Sequence, residues 1–136
     1  MNNYIDLAGR ILLGLIFVMA GFSKLGDAYA GTAGYMDSMG IPGGLLPLVI
    51  ATELLGGILI ITGFKTKWAA FALAGFTLLA GIIFHSNFAD QMQSILFMKN
   101  LAIAGGLALL FIHGAGKLSL DQLMNKSDRI GASFSH

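Results

Sequence analysis

The sequence predicts an all-α, membrane-integrated four-helix bundle with short interfacial helices in its outer loops. Three observations predict it. Four apolar stretches, each close to the roughly 20 residues that cross a hydrocarbon core of about 30 Å, fill most of the 136 residues. Charged residues make up 11% of the chain against 56% hydrophobic ones, far below the ~25% charge of a typical soluble domain. Three of the four stretches also hold an ionisable residue, Arg10, Glu53 or Lys99, where burying a charge costs at least about 2.5–3.5 kcal/mol. A charge persists at such a depth when it is paired, hydrated from inside the bundle, or used.

The first span runs from about Tyr4 to Leu25. No basic run precedes it and no small-residue cleavage site follows it, so it reads as a retained span rather than a leader. Between Asp27 and Met39, Tyr29, Ala33, Met36 and Met39 recur at helical spacing. Asp27 is placed to cap a short helix there, and Gly40-Ile41-Pro42 is placed to stop it. This helix is expected at the membrane surface or folded back over the bundle mouth. The second span runs from about Gly43 to Phe64 and the third from about Trp68 to Phe84. Phe88, Met92 and Ile95 suggest a second short helix in the next outer loop. The fourth span runs from about Leu96 to Ala115. Ser119 with Gln122 then resembles a capping box, opening a brief amphipathic helix with Leu120, Leu123 and Met124. One domain is expected over residues 1–126, with a disordered tail over 127–136.

Four spans put both termini and the loop between the second and third spans on one side. That side carries Arg10, Lys65, Lys67, Lys117, Lys126 and Arg129. Lys and Arg gather on the cytoplasmic side of membrane proteins, which places both termini in the cytoplasm.

Within the first span, Arg10, Gly14, Phe17, Gly21 and Lys24 step by four, three, four and three residues, the spacing of one helical face. The second span carries Glu53, followed by Gly56 and Gly57. The third ends at His85, with Leu78 and Gly81 beneath. The fourth offers Lys99, Ala102, Gly106, Leu110 and His113. Small residues let membrane helices approach closely and polar ones bond across them, so these stripes are expected to face one another. Glu53 is the one acid at membrane depth, and the long side chain of Arg10 is expected to reach toward it. Lys24, His85, Lys99 and Asn100 would then gather at the outer end, around a polar pocket with a carboxylate at its floor. Simpler readings stay open beside this one. Lys24 at a span end can snorkel to the headgroups. Arg10 with Glu53 can be a structural pair that fixes register. His85 at an interface can be a satisfied polar residue.

Composition excludes several function classes. The net charge of +1 without a basic run gives nucleic acid no electrostatic footing. The absence of cysteine removes disulfides, thiol chemistry and cysteine metal sites. The three histidines are too scattered to form a metal motif, and no nucleophile has a neighbouring base. A redox role would need a diffusible carrier such as a quinone, or a partner protein.

Arg10-Ile-Leu-Leu-Gly, Ala20-Gly-Phe-Ser-Lys24, Glu53-Leu-Leu-Gly-Gly57 and Phe97-Met-Lys-Asn-Leu101, in that order, resemble the DoxX family of small four-span inner-membrane proteins. Tyr29-Ala-Gly-Thr32, Tyr35-Met36, Leu46-Pro-Leu-Val-Ile50 and Phe84-His-Ser-Asn-Phe88 resemble a bacterial subgroup of it. The resemblance covers about Arg10 to Lys126. It implies a four-helix bundle in a bacterial cytoplasmic membrane and an association with quinone-directed oxidoreductases and oxidative stress, often through separate partner proteins. The matching polar positions are Arg10, Lys24, Glu53, Lys99 and Asn100, with His85 matching the subgroup. The expected function is binding of a quinone-like or other small ligand in support of redox systems. A small transporter acting as an oligomer and a scaffold for partner oxidoreductases are the alternatives. No redox centre of the chain's own is evident.

Overall fold

Each expected span is one continuous helix in the computed structural model, which describes residues 3–125. The tail expected over 127–136 lies outside the described residues. Helix α1 covers Asn3–Ser23, α2 Ala28–Ser38, α3 Leu46–Thr62, α4 Thr66–Phe84 and α5 Gln91–His113, with a single 3₁₀ turn at Gly43–Leu45 before α3. A further helical turn occupies 120–125. No strand occurs among the described residues. Four of these helices, with the 3₁₀ turn leading into α3, are long and apolar enough to cross a membrane.

The four long helices pack as two antiparallel pairs, α1 on α3 and α4 on α5, joined along a thinner α3–α4 seam. The α1–α5 seam is the least closed of the bundle. Glycines make the close approaches possible. A Cβ on Gly57 would meet the Gly14 carbonyl oxygen at 2.8 Å and the Val18 backbone nitrogen at 3.0 Å. A Cβ on Gly56 would run into Leu73 of α4 at 2.8 Å. Arg10, Gly14, Phe17 and Gly21 are the buried residues of α1, so the expected stripe is the packing face. The core between the pairs is Phe17, Ile60, Ala69, Ala70, Leu73 and Leu107. Large apolar side chains such as Leu12, Leu55, Phe71 and Leu109 point outward, as a lipid-facing surface requires.

Helix α2 folds back over one end of the bundle. Its Met36 is buried with Leu46 and Ile50 of α3, and Tyr35 stacks on Phe84 with ring centres 5.6 Å apart. Gly40, at φ +84°, ends this helix where expected, and the Ile41 amide donates to the Met36 carbonyl at 2.9 Å. Asp27 does not cap α2, because its side chain makes no capping bond. The structure also corrects the second outer loop. It holds no separate helix: Asp90 accepts a bond from the Met92 amide and opens α5 five residues before the expected start, so Met92 and Ile95 ride on α5 itself. The face of α5 differs as well. Ala104 and Leu107 are its buried residues, while Lys99, Ala102 and His113 lie on its exposed side. Leu78 is likewise exposed, and Thr77 with Gly81 forms the inward line of α4.

At the opposite end, Gly63 (φ +70°) closes α3, with the Phe64 amide donating to the Leu59 carbonyl in a Schellman pattern. Ser119 caps the 120–125 turn as expected, its hydroxyl accepting from the Gln122 amide at 3.2 Å.

Replacing Gly57 by Ala forces backbone apart along the α1–α3 seam and is expected to cost about 1–3 kcal/mol. Gly105→Ala, in open space, is expected to be neutral or slightly stabilising. Thermal unfolding of the two variants in the same detergent checks the difference.

Candidate functional site

The structure separates the expected polar residues into two groups at opposite ends of the bundle. Arg10 is 2% exposed and belongs to the end that holds the α1 N-terminus. Its guanidinium donates to the Ile60 carbonyl at 3.2 Å, to the Ile61 carbonyl at 3.0 Å and to the Leu118 carbonyl. These first two acceptors are in the last turn of α3, where intrahelical donors run short and the negative end of the helix dipole lies; the Ile60 carbonyl also accepts the Gly63 amide at 3.2 Å. Arg10 therefore does not reach Glu53. Backbone carbonyls near the α3 C-terminus and at Leu118 take its Nη donors instead, while its buried Nε has no partner among the described residues.

Glu53, 4% exposed, pairs with Lys24 at the other end: Lys24 Nζ lies 2.7 Å from Glu53 Oε1. The same ammonium donates to the Ala20 carbonyl at 3.2 Å, in the last turn of α1. Lys24 thus turns inward rather than out toward headgroups. Gly21 allows this geometry, since a Cβ there would sit 3.2 Å from the Glu53 Cβ and 2.9 Å from Leu54 Cγ.

Beside the pair is a cavity of about 600 Å³. Its polar lining comes from Lys24, Glu53, Thr77, His85, Lys99 and Asn100, with Thr32 and Thr52. Phe17, Phe76, Phe84 and Ile103 are among its apolar walls, and Tyr35 and Met36 of α2 lie over it. Five of the six expected polar positions therefore meet at one cavity, and Arg10 does not. Their states differ. Asn100 donates to the Thr77 carbonyl at 3.1 Å, and Gly81 leaves room for it. His85 Nδ1 pairs with Gln93 Oε1 at 3.1 Å. Lys99 has no acid within ion-pair distance among the described residues.

Sequence reasoning missed three lining threonines, Thr32, Thr52 and Thr77. Thr32, Thr52 and Thr62 each return their hydroxyl to a carbonyl one turn back. The Thr77 hydroxyl is buried and has no partner among the described residues. The signal that could have found it is the Ala70, Leu73, Thr77, Gly81 spacing of three, four and four residues along α4.

The cavity combines an ion pair, an unpaired ammonium and spare hydrogen-bond donors inside an apolar wall, a lining suited to orienting the polar head of an otherwise apolar molecule. No group of three His, Asp or Glu side chains is placed to hold a metal among the described residues. Removing Lys24 alone strands a buried carboxylate, so Lys24→Met is expected to destabilise by about 3 kcal/mol. Adding Glu53→Gln to it is expected to recover most of that loss, and a double-mutant cycle of unfolding midpoints checks the coupling.

Comparison with known proteins agrees with this architecture. The DoxX family pattern matches residues 5–86. The chain is 52% identical over 120 residues to "Inner membrane protein YqjF" of Escherichia coli (strain K12), covering 88% of this chain and 92% of that one. It is 38% identical to "Inner membrane protein YphA" of the same organism, covering 85% and 87%. It is 31% identical to "Putative oxidoreductase CatD" of Bacillus subtilis (strain 168), covering 90% and 88%. No solved structure matches significantly. With its four apolar helices and these relatives, the chain belongs to the DoxX family of membrane proteins.

Proposed function

We propose that this protein is a non-catalytic inner-membrane component that holds a small quinone-like molecule in the cavity beside Glu53 and supports an oxidoreductase supplied by another chain. The observation that carries this reading is the convergence of Lys24, Glu53, Thr77, His85, Lys99 and Asn100 on one cavity with otherwise apolar walls. Its volume, about 600 Å³, falls within the roughly 300–1,000 Å³ of small-molecule sites. A quinone offers a flat apolar ring and carbonyl oxygens that accept hydrogen bonds. Lys99 supplies a donor without first breaking another bond among the described residues. Lys24 and Glu53 set the local charge. The loose α1–α5 seam supports entry from the bilayer, where such molecules reside. The name of the Bacillus relative is in keeping with a redox setting. The excess of basic residues at the Arg10 end supports a cytoplasmic position for both termini.

The test is extraction. Protein purified from native membranes in mild detergent is expected to carry quinone detectable by chromatography, at a clear fraction of one molecule per chain. Lys99 is exposed, so Lys99→Ala leaves the fold intact, and it is expected to lose most of that quinone. Equal retention by parent and variant, or none in either, overturns the reading.

A further inference from the structure

A second cavity lies at the Arg10 end, between the start of α4 and the end of α5. It measures about 720 Å³, and nothing in the reading above uses it. Lys65, Lys67 and Lys117 line it, with Thr66, Trp68 and His113. Asp6 and Asp121 line it too, and Asp121 is engaged by backbone amides. Asp121 accepts the Lys65 and Thr66 amides at 2.7 and 2.9 Å, and both acids act electrostatically on the buried Arg10. The three lysines have no acid within ion-pair distance among the described residues. Lys65 lies over the Phe64 ring, 5.9 Å from its centre. Thr66 is wholly buried and its hydroxyl has no partner among the described residues.

The position of this cavity decides what the cations are for. It sits where α4 enters and α5 leaves the apolar layer. Trp68 is 76% exposed there, at the depth where amphipathic aromatic rings mark the headgroup level. Basic pockets between membrane helices at this level suit anionic headgroups. We propose that the cavity binds the phosphate of an anionic phospholipid, with Lys65, Lys67 and Lys117 around the phosphodiester and Trp68 against the glycerol and first acyl carbons.

The test uses the full chain in a neutral detergent and native mass spectrometry with added phosphatidylglycerol or phosphatidylcholine. Phosphatidylglycerol is expected to be retained in preference to phosphatidylcholine. Replacing Lys65, Lys67 and Lys117 one at a time by Gln is expected to weaken retention about fivefold for each lysine lost, the factor a single cation contributes near an anionic surface. The lysines lie outside the packed core, so unchanged unfolding midpoints are expected and show that the fold is preserved. Equal retention of the two lipids, or undiminished phosphatidylglycerol binding in the triple variant, overturns the proposal. Millimolar inorganic phosphate is the third arm. It is expected to leave phosphatidylglycerol bound, and displacement by it reassigns the site to a soluble phosphate and overturns the lipid assignment.

Discussion

A guanidinium that cannot reach water must be given acceptors, and the placement of Arg10 organises one whole end of this bundle. Inside a bilayer each unsatisfied polar group costs several kcal/mol. Arg10 meets most of that demand through its Nη atoms, which take carbonyls from two distant parts of the chain, the α3 C-terminus and Leu118, and leaves Nε without a partner among the described residues. The two demands are complementary: a helix end short of donors faces a side chain with donors to give. Asp121 extends the arrangement by bonding the first amides of α4 and donating its own amide to the Gly63 carbonyl at 2.8 Å. This clasp also supports Lys65, which holds a left-handed backbone at φ +50°, an uncommon state for a residue with a side chain.

The opposite end solves its charge problem by a different route. Glu53 is compensated by one ammonium, not by backbone, and its surroundings remain open enough to leave a cavity. One end is thus tied together through backbone carbonyls and amides, the other through a single ion pair. Both depend on the same glycine-lined α1–α3 contact, since Gly14 and Gly21 bring α3 within reach of Arg10 on one side and Lys24 on the other.

Much of the fold was legible in the sequence, because membrane spans are written as uninterrupted apolar runs. The α1 packing face was legible too, since Arg10, Gly14, Phe17 and Gly21 repeat at helical spacing and contrast sharply with their neighbours. The partner of Arg10 was not. Side-chain identity advertises Glu53 as a counter-charge, whereas backbone carbonyls leave no mark in a sequence. The α5 face was misread for a related reason. Lys99 and His113 drew the stripe toward polar residues, yet Ala104 and Leu107 carry the packing. Lys99 still reaches the cavity because the neighbouring seam is loose. Thr77 escaped notice because a threonine in a membrane helix ordinarily bonds its own preceding turn, and nothing in its spelling says that this one does not.

The clasp at the Arg10 end has a consequence for biosynthesis. Arg10 leaves the ribosome early, but Leu118 lies 108 residues later, and Asp121 meets its α4 amides across a separation of 55 and 56 residues. The first helix therefore enters the membrane with a cation whose final acceptors do not yet exist, and it must keep that cation at the hydrated boundary until they arrive. Closure of this end is a late event of assembly, completed only after the last long helix has been inserted and the chain has turned back beneath it.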